Sequence, residues 1–233
     1  MKKLILATSV GLLALAACSP AAETAAAPAA AAAPAPPTPI TIAAPAGDYV
    51  SDPNHSSVNF TLQHLGLAGY NLKFPTFDAT VSFDPANIAA SKVSATIKAS
   101  SIISGYPGDY LGTHPGTKFK SWDDDLANSP NFLDAGQHPT ITFVSTAVEP
   151  SGERSAKVTG DLTLKGVTKP VTLDVTFAGE TAAHPFAKVP AIGFSATGTF
   201  KRSEFGIDYL LPTIVGDEVT VRIEGDFIQK PAA

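Results

Sequence analysis

The sequence predicts an all-β domain of eight antiparallel strands. Three observations carry that prediction. Apolar residues recur at every second position through most of Asp48–Gln229, the period of strands with one buried face. The segments between them, "FDPAN", "EPSGER", "LKGVTKP" and "VGDE", are turn chemistry and favour hairpins over helical crossovers. Gly160, Gly193, Gly198 and Gly225 stand inside the alternating runs, where sheets bend or bulge as they close. Face pattern alone suits a sandwich as well as a barrel; strand length and the glycines favour the barrel.

Taken in order, the first strand is marked by Val58, Phe60 and Leu62, and the second by Phe77, Ala79, Val81 and Phe83. Val93, Ala95 and Ile97 mark the third, and Ile141 and Phe143 the fourth. Val158, Leu162 and Leu164 follow, then Val171, Leu173, Val175 and Phe177. Ile192, Phe194 and Phe200 give the seventh strand; Val219, Val221, Ile223 and Phe227 give the last. One region departs from the rhythm. Between Ile103 and Phe132 the chain is rich in Gly, Pro and Tyr, and "TKFKSWDDDLA" puts Phe119, Trp122 and Leu126 on one face of a short helix. A short helix or long loop is therefore expected near one end of the barrel, as a cap or as an excursion packed by its own aromatics.

The N-terminus is of another kind. "MKKLILATSVGLLALAAC" has two lysines, an apolar run and small residues, the order of a secretory signal peptide, here residues 1–17. Leu15-Ala16-Ala17-Cys18 resembles the bacterial lipobox, whose cysteine is lipidated. Cys18 is the single cysteine of the chain, so the mature domain has no disulfide to lean on. Residues 18–46 are almost all Ala and Pro; the prolines interrupt the helix that alanine favours, leaving an extended tether. The barrel domain is assigned to residues 47–233. Ser19 in place of Asp points, by resemblance to Gram-negative sorting rules, to the outer membrane facing the periplasm.

Composition excludes several classes of function. The 233-residue chain has a formal net charge of −5 and no basic run to grip a phosphate backbone, so nucleic acid is not an expected partner. Asp52, His55 and Ser56 are the residue types of a serine hydrolase. Adjacent strand side chains diverge, however, and Asp52-Pro53-Asn54 reads as a turn that opens the strand. Gly193-Phe194-Ser195 lies in a strand pattern and lacks the second glycine of a nucleophile elbow. His55, His64, His114, His138 and His184 have no ligand spacing, and the contiguous acids Asp123–Asp125 lack the alternation of a calcium loop. The expectation is a domain that is no enzyme and needs no cofactor and no metal.

Several separated motifs resemble the YceI family in its order. They are "YVSDPNHSSVNFTLQHLG", "FPTFDATVSFDP", "ASSI", "NFLDAGQHPTITF", "VTGDLTLKGVTKPVTL" and "KRSEFGID". The resemblance covers nearly all of Asp48–Gln229. It implies an elongated lipocalin-like barrel that binds a long isoprenoid or other polyprenyl lipid inside, with no established catalysis. On that reading Asp52, His55 and Ser56 help to fix an end of the barrel. Relatives beside or fused to b-type cytochromes imply a second role, quinone binding in support of membrane redox enzymes. A third reading is a solid structural or interaction lipoprotein. Two departures bear on the entrance: Leu72 where members often have Gly, and a longer Ser104–Ser121 connection.

Strand parity assigns the ligand wall to Phe60, Leu62, Val81, Phe83, Ile97, Phe143, Leu162, Leu173, Phe194 and Val221. At the mouth, His64 and Arg202 are the polar candidates. Arg202 would hold a phosphate or quinone oxygen, or else pair with Asp208, Glu204 or Asp52. The expected partners are an isoprenoid or polyprenyl lipid and, through Cys18, the membrane; a homodimer is compatible with the sequence.

Overall fold

A computed structural model describes residues 41–231. Nine strands form one antiparallel sheet: β1 (Gly47–His64), β2 (Ala68–Phe74), β3 (Asp78–Phe83), β4 (Lys92–Lys98), β5 (Thr140–Pro150), β6 (Ser155–Leu164), β7 (Val167–Thr181), β8 (Ala191–Lys201) and β9 (Glu218–Gln229). Two short helices, α1 (Tyr110–Thr113) and α2 (Trp122–Asn128), lie between β4 and β5. The sheet closes because β9 pairs with β1, from Tyr49↔Gln229 to Thr61↔Thr220.

The closed barrel has eight staves. The early part of β1 pairs with β3 (Val50↔Thr80) and its later part with β2 (Val58↔Phe74). β2 and β3 are thus one stave, interrupted at Pro75–Phe77, where proline cannot donate to a ladder. Ser51 bridges the break: its hydroxyl donates to the Phe77 carbonyl (2.9 Å) and accepts from the Ala79 amide (3.0 Å). β2 is a strand beyond the eight expected, with Tyr70, Leu72 and Phe74 alternating along it.

Up-and-down order places connections 65–67, 99–139, 165–166 and 202–217 at one end, called the helical end. Connections 84–91, 151–154 and 182–190 lie at the other, the terminal end, with both ends of the described chain. The Lys165-Gly166 turn joins β6 to β7 with φ of 49° and 76°, the two positive values a tight hairpin turn needs. At Gly160 a Cβ would lie 2.4 Å from the Phe143 ring and 2.6 Å from the Val144 carbonyl oxygen. Glycine there lets that ring lie against the neighbouring strand.

The terminal end is filled by aromatic rings. Phe177 and Phe194 are 5.6 Å apart, Phe194 and Phe227 5.9 Å, and Phe83 and Phe194 6.1 Å, with Tyr49 completely buried beside them. The last residues assigned to the tether do not hang free. Glu180 accepts from the amides of Ala43 (2.9 Å) and Ala44 (2.5 Å), Tyr49 donates to the Pro45 carbonyl, and Ala44 is buried. The signal peptide, Cys18 and the rest of the tether lie outside the described residues.

Helix α2 starts at Trp122, with Phe119 ahead of it rather than on its face. Ser121 is its cap, accepting from the Asp124 amide (3.1 Å). Each aspartate of "WDDD" has a structural partner. Asp123 takes the Ser104 amide (2.8 Å), Asp124 the Lys120 amide (2.8 Å), and Asp125 the Tyr110 hydroxyl (2.6 Å). The Lys120 amide holds Asp124 below its ordinary carboxylate pKa.

Candidate functional site: an apolar cavity inside the barrel

Every stave turns alternate side chains inward, and together they enclose a cavity of about 340 Å³. Its wall is almost wholly hydrocarbon. Phe60, Leu62, Val81, Phe83, Ile97, Phe143, Leu162, Leu173, Phe194 and Val221 all line it. Phe143 and Leu173 precede the bulges at Ser145–Ala147 and Phe177–Gly179; past the first of these the inward parity changes, Ile141 and Phe143 giving way to Val148. Tyr70, Leu72 and Phe74 join the wall from β2; their i, i+2 spacing was the signal available for them. Leu72 is buried in that wall. The connections add Trp122, Leu126, Phe132, Leu133, Ile207, Tyr209, Leu210 and Val215. Trp122 and Leu126 share the face of a short helix that their spacing predicts; no periodicity marks the others, because their placement depends on long-range packing.

The helical end is thus roofed by two connections. The Trp122 indole donates to the Tyr70 hydroxyl (2.8 Å), tying α2 to β2. Phe132 packs edge-on to Trp122 (5.4 Å) and to Tyr209 (5.5 Å). Tyr209 is both a wall residue and 44% exposed; it marks where the cavity meets solvent. The Ser104–Ser121 segment is packed by its own aromatics, with the rings of Tyr110 and His114 stacked 4.6 Å apart, while α2 supplies the cap.

Of the two polar candidates for the mouth, Arg202 lines the cavity and His64 does not. His64 has inward parity but lies past the rim, exposed at the end of β1, and bridges to Val215 through its backbone. It does not line the cavity. Arg202 is buried, 4% exposed, and has no carboxylate at salt-bridge distance among the described residues. Its fork is spent on carbonyls. Nε donates to Gly216 (2.8 Å), Nη1 to Ile207 (3.1 Å) and Tyr209 (2.9 Å), and Nη2 to Val215 (3.0 Å). Burial pushes the guanidinium pKa down, opposed by Asp217 and Asp208. Neither Asp208, Glu204 nor Asp52 pairs with it. Arg202 staples the 206–217 connection, and so places Tyr209 at the mouth.

Two further polar side chains inside the wall have protein partners as well. The Ser91 hydroxyl accepts from the Asp84 amide (3.0 Å), and the Tyr70 hydroxyl accepts from Trp122. A ligand inside would be held by dispersion and by its release from water.

Asp52, His55 and Ser56 lie elsewhere, in a bulge within β1 between Ser51 and Ser56, not at a strand opening. His55 Nδ1 is 2.8 Å from Asp52, which also accepts from the Asn54 amide (2.9 Å). The Ser56 hydroxyl donates to the Asp226 carbonyl (3.4 Å), away from the imidazole. The histidine hydrogen bond lowers the Asp52 pKa, and the same bond raises that of His55. The group braces the terminal end beside His184 and Phe186. Ser195 is in the middle of β8.

These features define a class: a closed antiparallel barrel built around an apolar interior. The family model described as a YceI-like domain matches residues 49–227, and the chain belongs to the YceI-like family. A UPF0312 protein of Ectopseudomonas mendocina is 38% identical over 185 residues, covering 78% of this chain and 88% of its own. One from Pseudomonas savastanoi is 37% identical over 184 residues, with the same coverage. Among solved structures, Burkholderia cenocepacia BcnA superposes with a TM-score of 0.61 at 28% identity, covering 76% of this chain and 98% of its own. A polyisoprenoid binding domain from Saccharophagus degradans shares the fold, with a TM-score of 0.53 at 10% identity, over 80% of this chain and all of its own.

Proposed function

We propose that this protein is a lipid-anchored periplasmic carrier or reservoir for a long, chain-like isoprenoid, held in the barrel without covalent chemistry. The observation that carries the reading is the wall: staves and roof present hydrocarbon, and the buried polar side chains among them, Ser91, Tyr70 and Arg202, each have a protein partner. About 340 Å³ is roughly twice the ~150 Å³ apolar cavity that accepts a benzene. Each methylene brought into it contributes about 0.8 kcal/mol. Burying some ten to fifteen carbons would therefore contribute about 8–12 kcal/mol, which after an association cost of about 4 kcal/mol leaves roughly millimolar to micromolar binding, and a longer buried chain would tighten it. Deep in the wall the Arg202 fork is spent on carbonyls and only the Ser91 and Tyr70 hydroxyls keep an O–H to donate, so a charged head belongs at the mouth beside Tyr209. The polyisoprenoid-binding neighbour supports the ligand class through the shared fold. The Cys18 anchor and Ser19 support the outer membrane, periplasmic side.

The test is mass spectrometry of an organic extract of the purified chain from a Gram-negative host. A stoichiometric polyprenyl lipid or quinone is expected. A clean extract from folded protein that also fails to take up added polyprenol would overturn the reading.

A further inference from the structure

Among the described residues, nine large hydrophobic side chains are exposed, and seven of them belong to the helical end; only Val144 and Phe186 lie elsewhere. Leu67 is 83% and Leu65 50% exposed on the turn from β1 to β2. That turn is joined to the other roofing connection, the Leu65 amide donating to the Ile214 carbonyl (2.7 Å). Ile214 is exposed on the same connection as Tyr209. Leu111 and Tyr106 extend the set from the 99–139 connection. The cavity meets solvent at Tyr209, so its opening is rimmed by side chains that water hydrates poorly, two of them, Tyr106 and Tyr209, aromatics with a polar tip, a residue type enriched at membrane interfaces.

The charges of this end select among lipid surfaces. Its four connections hold eight acidic residues and four basic ones, so an anionic surface gains nothing from them. The chain outside the structure also bears on the geometry. The described residues begin at the terminal end, where Ala43 and Ala44 are fixed on Glu180. From Cys18 to that point, residues 19–40 can reach at most about 70–80 Å when extended, at ~3.3–3.6 Å each. The barrel is shorter: β7, with 15 residues, spans about 50 Å along the strand and roughly 35–40 Å along the axis at a ~35–45° tilt. A membrane anchor joined to the terminal end therefore leaves the helical end free to face the same membrane.

We propose that the helical end docks on a zwitterionic phospholipid bilayer, inserting Leu65, Leu67, Ile214 and Tyr209 so that the cavity mouth opens into the acyl region. Cargo then passes between bilayer and barrel without crossing water. The inference rests on the lipid-carrier and anchoring readings, and its test separates from both.

Trp122, the single tryptophan of the chain, lies at this mouth and reports docking. The full chain, incorporated by its own anchor, is placed in phosphatidylcholine vesicles carrying acyl-chain bromines. Flotation reports the anchor separately, and mass spectrometry reports the cargo. Docking predicts quenching of Trp122 that salt does not change. Leu65→Asp with Leu67→Asp should lower the docking equilibrium about a hundredfold, about tenfold for each leucine kept out of hydrocarbon, and abolish the quenching while flotation persists. Phe186→Asp, at the opposite end, should leave it intact. If the chain does not float by itself, the same quenching is read with vesicles added in excess. An unquenched wild type overturns the proposal. Quenching that survives in the double variant also overturns it, since bromolipid held inside the cavity would behave that way.

Discussion

Replacing Ala196 by phenylalanine should evict the cargo without unfolding the barrel. Ala196 is at the middle of β8, buried in the cavity wall, opposite Val175 on β7 and Ile223 on β9. Phenylalanine adds six carbons at the level where the lumen runs. At ~0.8 kcal/mol per carbon displaced, a chain-like ligand loses about 5 kcal/mol, or more than a thousandfold in affinity. The barrel itself should tolerate the ring. An unfilled 340 Å³ costs up to about 8 kcal/mol at ~24 cal/mol per Å³, so filling part of it offsets an overpacking cost of about 1–3 kcal/mol. The assay is thermal unfolding before and after organic stripping, with lipid counted by mass spectrometry. If bound lipid restores half the cavity cost, stripping lowers the wild-type midpoint by about 10 °C. Ala196→Phe should carry no lipid and melt at one temperature in both states. Thr197→Phe, on the outer face of the same strand, should behave as wild type. A folded Ala196→Phe with wild-type lipid content would refute the placement of the ligand.

Three further outcomes are expected. Arg202→Met removes the donor from four carbonyls and should destabilise the barrel by about 3 kcal/mol or more, with Arg202→Lys restoring only part for want of the planar fork; a urea midpoint close to wild type would count against the staple. Glu180→Gln weakens the charge-assisted hold on Ala43 and Ala44, so these amides should exchange faster while the global midpoint stays put; unchanged exchange would mean that the segment is held otherwise. For the His55–Asp52 pair, the raised His55 pKa and lowered Asp52 pKa set opposite limbs. The His55 contribution is full below its unfolded value of about 6.5 and is lost as pH rises through the raised pKa. The Asp52 contribution is present above about 3.8 and is lost as pH falls through the lowered one. His55→Gln should flatten the upper limb of stability against pH, and a limb that persists would assign it to another group.

The period-two alternation was enough to read an all-β domain and its inner face, because a strand's two faces are fixed by backbone geometry alone; strand length and the strand glycines were needed to favour a barrel over a sandwich. Phe60, Phe143 and Val221 could be placed on the inner face from their neighbours in sequence. The exclusion of a hydrolase geometry was also local, since His55 and Ser56 are adjacent and their side chains diverge. Other features needed the folded chain. That β2 and β3 make one stave follows from where β1 pairs with each. That His64 overshoots the rim depends on stave length relative to the 202–217 connection. Arg202 illustrates the limit most clearly: its sequence neighbours offered carboxylates, yet burial favours carbonyls of a loop brought back over the barrel, which satisfy the fork without bringing a second charge out of water. Likewise Tyr209 is far in the chain from Trp122 and Phe132, and the three carry no shared period. Only packing across the open end makes them one roof and puts Tyr209 at the mouth.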